Sequence, residues 1–159
     1  MNYIDLKSVN KVYFLGIGGI GVSAIALMMN GEGKHVSGTD TSDSLVIASL
    51  REHGISVDIG PNTSAVPAGT DLVVYTRALE VADASLLEEV RATGVSVLSY
   101  PEVLRIISER KYTVAVSGMH GKTTTTAMCS HIWSRAGKSP TTVVGSMMKD
   151  TGSNYLHGD

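Results

Sequence analysis

The stretch Val12-Tyr13-Phe14-Leu15-Gly16-Ile17-Gly18-Gly19-Ile20-Gly21 decides the fold. Its apolar residues 12–15 predict a buried β-strand, and the glycines after them match the pattern G-x-G-x-x-G. Residues 20–29 then predict a helix. A strand, a glycine turn and a helix in this order are typical of a nucleotide-binding parallel sheet. There the first glycine permits a tight turn, the second lets the backbone approach a diphosphate, and the third allows close helix–strand packing.

The same alternation continues along the chain. Further strands are predicted at residues 35–37, 56–59, 72–75 and 95–98, and further helices at residues 44–53, 84–92 and 102–108. This order predicts an α/β fold, a Rossmann-like parallel sheet with flanking helices. Gly31, Gly54 and Gly94 each stand between a predicted helix and the next strand, where we expect a left-handed residue to end the helix.

An acidic residue accompanies the first glycine motif. Asp40 comes at the end of the second strand region, three positions after the predicted strand at residues 35–37 and 19 positions after Gly21. A carboxylate near this distance accepts hydrogen bonds from ribose hydroxyls. We therefore predict that Gly18, Gly19, Ile20, Gly21 and Asp40 bind a nucleotide diphosphate with a ribose, without naming the base. The alternative is a glycine-rich turn that serves packing alone.

A second glycine motif, Gly118-Met119-His120-Gly121-Lys122-Thr123-Thr124, lies between an apolar run at 112–116 and a predicted helix at 123–135. The run predicts a strand, so the motif reads as the first strand-loop-helix of a P-loop ATP-binding domain in a shortened form. We expect the loop N–H groups to point toward an anion, the Lys122 ammonium to reach terminal phosphates, and the Thr123 hydroxyl to ligate Mg²⁺. His120 either contacts phosphate or is a solvated loop residue.

Composition narrows the class of protein. The 159 residues, 43% of them hydrophobic, suit one complete domain plus part of a second, which we place at 1–105 and 106–159. With 13 basic against 15 acidic residues, nucleic acid is not an expected partner. The chain shows no membrane span and no secretion signal, so the cytoplasm is the expected compartment. Cys129, the single cysteine, is predicted to pack in the core.

Two phosphate-binding motifs in this order, about a hundred residues apart, resemble the Mur ligases of bacterial cell-wall synthesis. The resemblance rests on residues 16–23, on Ser37-Gly38-Thr39-Asp40, and on residues 118–126, where Met119 replaces the family's threonine. It extends from about residue 11 to the C-terminus. It is strongest to the family members that act on UDP-N-acetylmuramate and L-alanine.

The resemblance implies an ATP-dependent ligase that joins L-alanine to the carboxylate of UDP-N-acetylmuramate through an acyl phosphate. It implies that the glycine turn faces the diphosphate and that Asp40 faces the ribose or uracil end. Lys122 would be the catalytic residue that stabilises the transferring phosphoryl group, and Thr123 would hold Mg²⁺. Asn154 resembles the family's substrate-side asparagine. The family's acidic metal ligands and amino-acid-binding domain would follow Asp159, so we expect this chain to bind the UDP-sugar without catalysing ligation.

Two stretches depart from the family pattern. Gly60-Pro61 stands where family members have a histidine after the glycine, which removes an expected contact on the uridine side. Thr76-Arg77-Ala78 stands in place of Ser-Ser-Ala. Arg77 either pairs with a phosphate or carboxylate or is a solvated surface charge.

Two other functions stay open at this point. An NAD(P)-binding redox or regulatory module would explain the first motif and leave the second unexplained. A small P-loop kinase or NTPase would need magnesium-binding acids after Thr126, where Asp150 and Asp159 are the only ones. We also expect residues 113–159 to be partly exposed, because their apolar side chains would lack their usual cover. These side chains are Met128, Ile132, Val143 and Val144.

Overall fold

The computed structural model describes residues 4–63 and 65–158. Thirteen elements follow one another in the described chain. They are β1 (Lys11–Leu15), α1 (Ile20–Gly31), β2 (His35–Asp40), α2 (Leu45–Glu52), β3 (Ser56–Ile59), β4 (Leu72–Tyr75), α3 (Ala78–Ala82), α4 (Ala84–Ala92), β5 (Ser96–Ser99), α5 (Tyr100–Glu109), α6 (Lys122–Arg135), β6 (Thr142–Val143) and β7 (Tyr155–Leu156). None of the helices in these ranges combines the length and the apolar character needed to cross a bilayer.

Five of the strands form one parallel sheet in the order β3-β2-β1-β4-β5. The chain starts at the central strand β1, builds outward through β2 and β3, then returns to the other side of β1 for β4 and β5. The reversal creates a crevice at the carboxyl ends of β1 and β4, where sheets of this kind bind ligands. The predicted Rossmann-like α/β fold is confirmed.

The core covers both faces of the sheet because alternate strand residues point to opposite sides. Val12 and Phe14 of β1 belong to the cluster that contains residues of α1, α2 and α5. Tyr13 and Leu15 belong to the cluster that contains residues of α4. Burial on both sides explains why these strands read as continuous apolar runs rather than alternating patterns.

Most helix boundaries follow local capping signals. The helix predicted at residues 84–92 has those bounds. Helix α2 begins at Leu45 because Ser44 is its N-cap and accepts a hydrogen bond from the backbone N–H of Ile47 at 3.3 Å. Helix α5 begins two residues earlier than predicted, because the Glu102 carboxylate accepts hydrogen bonds from both the N–H and the hydroxyl of Ser99 at 2.7 Å.

Two of the three predicted helix-ending glycines are confirmed. Gly54 and Gly94 follow α2 and α4 with φ values of 78° and 84°. The prediction for Gly31 was wrong, since this residue is the last of α1 and Gly33, at φ 82°, takes the left-handed conformation. The helical bonding continues past Gly31 because the N–H of Glu32 donates to the carbonyl of Met28 at 3.0 Å.

The strand predicted at residues 112–116 is not formed. Tyr112 is fully exposed, and no strand among the described residues pairs with this segment. A strand needs a neighbour for its backbone hydrogen bonds, and apolar character alone does not supply one. Helix α6 does form after the glycine loop. The predicted division at residues 105 and 106 stays a prediction.

The expected exposure of the last segment is confirmed in part. Met128 and Ile132 on α6 are 60% and 62% exposed, and Cys129, expected in the core, is only half-buried. Val144 is buried, contrary to expectation. The reason is that β6 and β7 form an antiparallel pair whose Tyr155 packs against the core cluster on the α1 side of the sheet.

Candidate nucleotide-binding site

The first glycine turn connects three strands at the carboxyl edge of the sheet. The N–H groups of Gly16 and Ile17, which follow β1, donate to the carbonyl of Thr39 in β2 at 2.9 and 3.0 Å. Gly16 has φ +75°, and a Cβ added there would lie 2.5 Å from the methyl group of Thr76. Glycine is therefore required at this position both by conformation and by space, as the sequence predicts.

Asp40 holds the turn from the end of β2. Its Oδ2 accepts a hydrogen bond from the N–H of Gly18 at 2.7 Å, and its Oδ1 accepts one from the N–H of Ser42 at 3.3 Å. A Cβ on Gly18 would lie 2.8 Å from Oδ2 and 3.0 Å from Cδ1 of Ile47. The second glycine thus makes room for the carboxylate. An ionised carboxylate offers about four lone-pair sites, so Asp40 retains capacity for a ribose hydroxyl.

The start of α1 offers free backbone donors beside this carboxylate. Gly19 is the N-cap, and it has no side-chain capping bond and no acidic residue in the first turn that follows it. The first N–H groups of a helix, here those of Ile20 and Gly21, have no partner within the helix and attract anions. Gly19 is exposed, and a Cβ on it would meet no atom closer than 3.5 Å. Residues 19–21 therefore form the part of the turn that an anion can approach.

Tyr100 forms a further wall of the turn that the sequence did not reveal. A Cβ on Gly21 would lie 2.7 Å from Cζ of Tyr100, so the third glycine allows α1 to pack against the start of α5 rather than against a strand. Burial raises the pKa of the Tyr100 hydroxyl above its ordinary value of 10.0, which keeps it protonated as a hydrogen-bond donor at neutral pH. The usable signal was its position directly after β5, at the ligand-binding edge.

The second glycine loop has the backbone of an anion site. Gly121, at φ 77°, is the N-cap of α6, and no side chain caps this helix and no acidic residue occupies its first turn. The Lys122 ammonium donates to the carbonyls of Gly118 at 2.5 Å and Met119 at 3.1 Å. The predicted phosphate-binding lysine thus folds back onto its own loop. His120 and Thr124 are exposed at the same loop and helix start.

The hydroxyls that follow Lys122 have separate environments. A Cβ on Gly145 would lie 3.3 Å from Oγ1 of Thr123, the predicted magnesium ligand. The Thr126 hydroxyl donates to the carbonyl of Lys122 at 2.8 Å, which is back-bonding within the helix. Within residues 4–63 and 65–158 no group of three or more His, Cys, Asp or Glu side chains is placed to hold a metal ion. Thr123 fits a magnesium site as one ligand only.

Asn154 lies behind the first turn. It is 1% exposed, and its Nδ2 donates to the hydroxyl of Ser23 at 2.9 Å and to the carbonyl of Ile20. The chain from Gly145 to Asn154 therefore extends from Thr123 in the second loop to the start of α1 in the first. One segment thus contacts both predicted phosphate sites.

A family model described as "Mur ligase family, catalytic domain" matches residues 11–112, well over half of the chain. The chain belongs to the Mur ligase family. The match includes the first glycine turn, Asp40 and the whole five-stranded sheet, so the predicted resemblance is confirmed.

Individual Mur ligases cover nearly all of this chain. A UDP-N-acetylmuramate--L-alanine ligase of Hydrogenobaculum sp. (strain Y04AAS1) is 40% identical over 93% of the chain and 32% of its own length. A counterpart from Caldicellulosiruptor bescii is 39% identical over 94% of the chain and 32% of its own length. The chain thus spans about a third of the length of these relatives.

A solved structure shares the fold. The UDP-N-acetylmuramate-alanine ligase MurC from Thermotoga maritima superimposes with a TM-score of 0.83 at 34% identity, over 93% of this chain and 35% of that one. The parallel sheet and its flanking helices are therefore those of a Mur ligase.

Proposed function

We propose that this chain is the UDP-sugar-binding part of a ligase that joins L-alanine to the carboxylate of UDP-N-acetylmuramate in peptidoglycan synthesis, with ATP and Mg²⁺. The observation that carries the proposal is the first glycine turn. Its Asp40 carboxylate accepts a hydrogen bond from the N–H of Gly18 at 2.7 Å, and no side chain caps the start of α1. The names of the relatives given above describe ligases of UDP-N-acetylmuramate and alanine.

Each residue of the turn has a distinct task in the proposal. The N–H groups of Ile20 and Gly21 bind the diphosphate, and the missing side chain of Gly19 lets it approach. The Asp40 carboxylate keeps the turn in shape and accepts a hydrogen bond from a ribose hydroxyl. The neutral Tyr100 hydroxyl adds a donor at the rim. These roles bind and orient the nucleotide and leave the reacting carboxylate of the sugar outside the turn.

The second loop has a different task. Bound ATP would supply the phosphoryl group that activates the sugar's carboxylate. For this the Lys122 ammonium has to leave the carbonyls of Gly118 and Met119 and donate to phosphate oxygens instead. Thr123 contributes a single hydroxyl to the metal. We infer that this chain by itself holds the UDP-sugar without ligating it, because the described residues around Thr123 include no carboxylate cluster.

Calorimetric titration of the chain with UDP-N-acetylmuramate and with NAD tests the proposal. We expect saturable binding of the UDP-sugar and none of NAD. Gly19→Ala is the matched variant, because its backbone, at φ −62° and ψ 135°, accepts any residue and an added Cβ would make only ordinary contacts, the nearest at 3.5 Å with the Val22 side chain. The added methyl group would fill the cradle and weaken UDP-sugar binding about tenfold or more without altering the urea midpoint.

Lys122→Ala provides the control for the second loop. It removes the ammonium from an exposed loop outside the turn, so binding of the UDP-sugar should stay unchanged. Tight NAD binding without a response to the UDP-sugar would reverse the proposal in favour of a dinucleotide-binding module.

A further inference from the structure

Arg77 directly follows Thr76, the residue after β4 that contacts the glycine turn. Strands β1 and β4 pair with Leu15 opposite Tyr75, and the N–H of Thr76 then donates to the carbonyl of Leu15 at 3.0 Å. The Thr76 methyl group lies against Gly16, as the close approach of an added Cβ shows. Arg77 is thus placed at the crevice between β1 and β4, alongside the turn.

The loops at this edge contain one cationic residue. The connections that leave this edge are residues 16–19 after β1, 41–44 after β2, 60–71 after β3 and 76–77 after β4, while β5 runs directly into α5. Their sequences include no Lys, Arg or His except Arg77. Asp40 meanwhile places a carboxylate on the turn itself. A positive charge beside a diphosphate bound there would offset that carboxylate and strengthen the backbone contacts, and in these loops only Arg77 supplies one.

The guanidinium is held in a way that leaves most of its donors available. Its Nε donates to Oε2 of Glu80 at 3.3 Å, and the other oxygen of Glu80 accepts from the Tyr75 hydroxyl at 3.1 Å. Both terminal amino groups of Arg77 lack a hydrogen-bond partner among the described residues, and the side chain is 70% exposed. An exposed pair of this kind contributes little to stability, and the planar donor fork matches phosphate oxygens.

We propose that Arg77 binds the diphosphate of the UDP-sugar through its two terminal amino groups, while its Nε stays bonded to Glu80. The inference rests on the proposed function, since it assigns a further residue to the same site. Arg77 stands where the family pattern has serine, so this chain supplies a charge that the pattern does not.

Titration calorimetry with UDP, UDP-N-acetylglucosamine and UDP-N-acetylmuramate tests the assignment. We expect Arg77→Ala to weaken all three ligands by about ten- to a hundredfold, because a charge-assisted contact to the shared diphosphate is lost. Arg77→Lys keeps the charge without the fork and should recover part of the loss. Arg77 makes no side-chain capping bond to α3, so the alanine variant should keep the wild-type urea midpoint.

Arg105→Ala is the matched control. It removes the same charge from another exposed ion pair, with Glu109 at 2.9 Å on α5, and should leave all three affinities unchanged. Equal losses in Arg77→Ala and Arg105→Ala would overturn the inference, because net charge alone would explain them. So would a loss confined to UDP-N-acetylmuramate, which would assign Arg77 to the sugar's carboxylate. Unchanged affinities in Arg77→Ala would overturn this inference alone, whereas a wild-type chain that binds no UDP ligand would overturn the proposed function as well.

Discussion

Gly38→Ala should destabilise the protein strongly, although the added group is a single methyl in the middle of a strand. Gly38 of β2 pairs with Phe14 of β1, and a Cβ on it would lie 2.5 Å from the Phe14 carbonyl oxygen and 2.9 Å from the Phe14 Cβ. Ordinary contacts begin near 3.4 Å, so the two strands would have to separate by about 1 Å. Overpacking typically costs 1–3 kcal/mol, and because the obstacle is backbone we expect about 3 kcal/mol.

Urea unfolding followed by far-UV circular dichroism measures this loss. The single tryptophan, Trp133, lies on α6 outside the sheet, so its fluorescence would not report on β1 and β2. With a slope of about 1–3 kcal/mol per molar urea, the midpoint should fall by about 1 M or more. Gly31→Ala is the control, because Gly31 ends α1 and a Cβ there would meet only His157 at 3.7 Å. Its midpoint should stay equal or rise slightly.

A Gly38→Ala midpoint equal to that of the wild type would refute the reasoning, since it would mean that β1 and β2 are not packed as closely as described. Equal decreases in Gly38→Ala and Gly31→Ala would refute it too, because the effect would then belong to glycine replacement in general.

Two further predictions concern buried and exposed polar groups. Asn154→Ala leaves the Ser23 hydroxyl without its buried donor and should lower the free energy of unfolding by about 1–3 kcal/mol in urea titrations; an unchanged value would remove Asn154 from the packing of α1. Hydrogen bonds from the N–H groups of Lys11 and Asn10 lower the pKa of Asp71 below 3.8, so its stabilisation is present above the unfolded-state pKa and is lost as the pH falls through the lower folded-state value. The urea midpoint of Asp71→Asn should therefore fall less than that of the wild type as the pH is lowered from about 6 to about 3. Parallel midpoint profiles for the two proteins would contradict this.

The parts of the fold that follow from local signals were predictable. Apolar runs bounded by turn residues located all five strands of the sheet, and Ser44 and the Ser99–Glu102 pair explain the helix starts. The glycine turn was predictable because the G-x-G-x-x-G pattern after a strand indicates a tight turn, in which Gly16 has a left-handed conformation. The failure of residues 112–116 to form a strand was not predictable. A strand forms only beside a partner strand, and sequence patterns do not reveal whether a partner is available.

The candidate site divides in the same way. Gly18, Gly21 and Asp40 stand out in the sequence, but their contacts do not: Asp40 bonds to Gly18, and Gly21 faces the ring of Tyr100, 79 positions away in the chain. The roles predicted for the residues of both glycine motifs, and for Asn154, stay predictions.

By itself the sequence determined the order of strands and helices, the two glycine loops and the membership of a ligase family, because each depends on residues that are neighbours along the chain. Only the tertiary structure decided that Gly38 lets β1 and β2 approach, that Asn154 bonds to the first turn of α1, and that Thr76 and Arg77 follow β4 beside the glycine turn. The physical reason is that close packing and charge act between atoms near in space, and a parallel sheet brings together residues that are far apart in sequence.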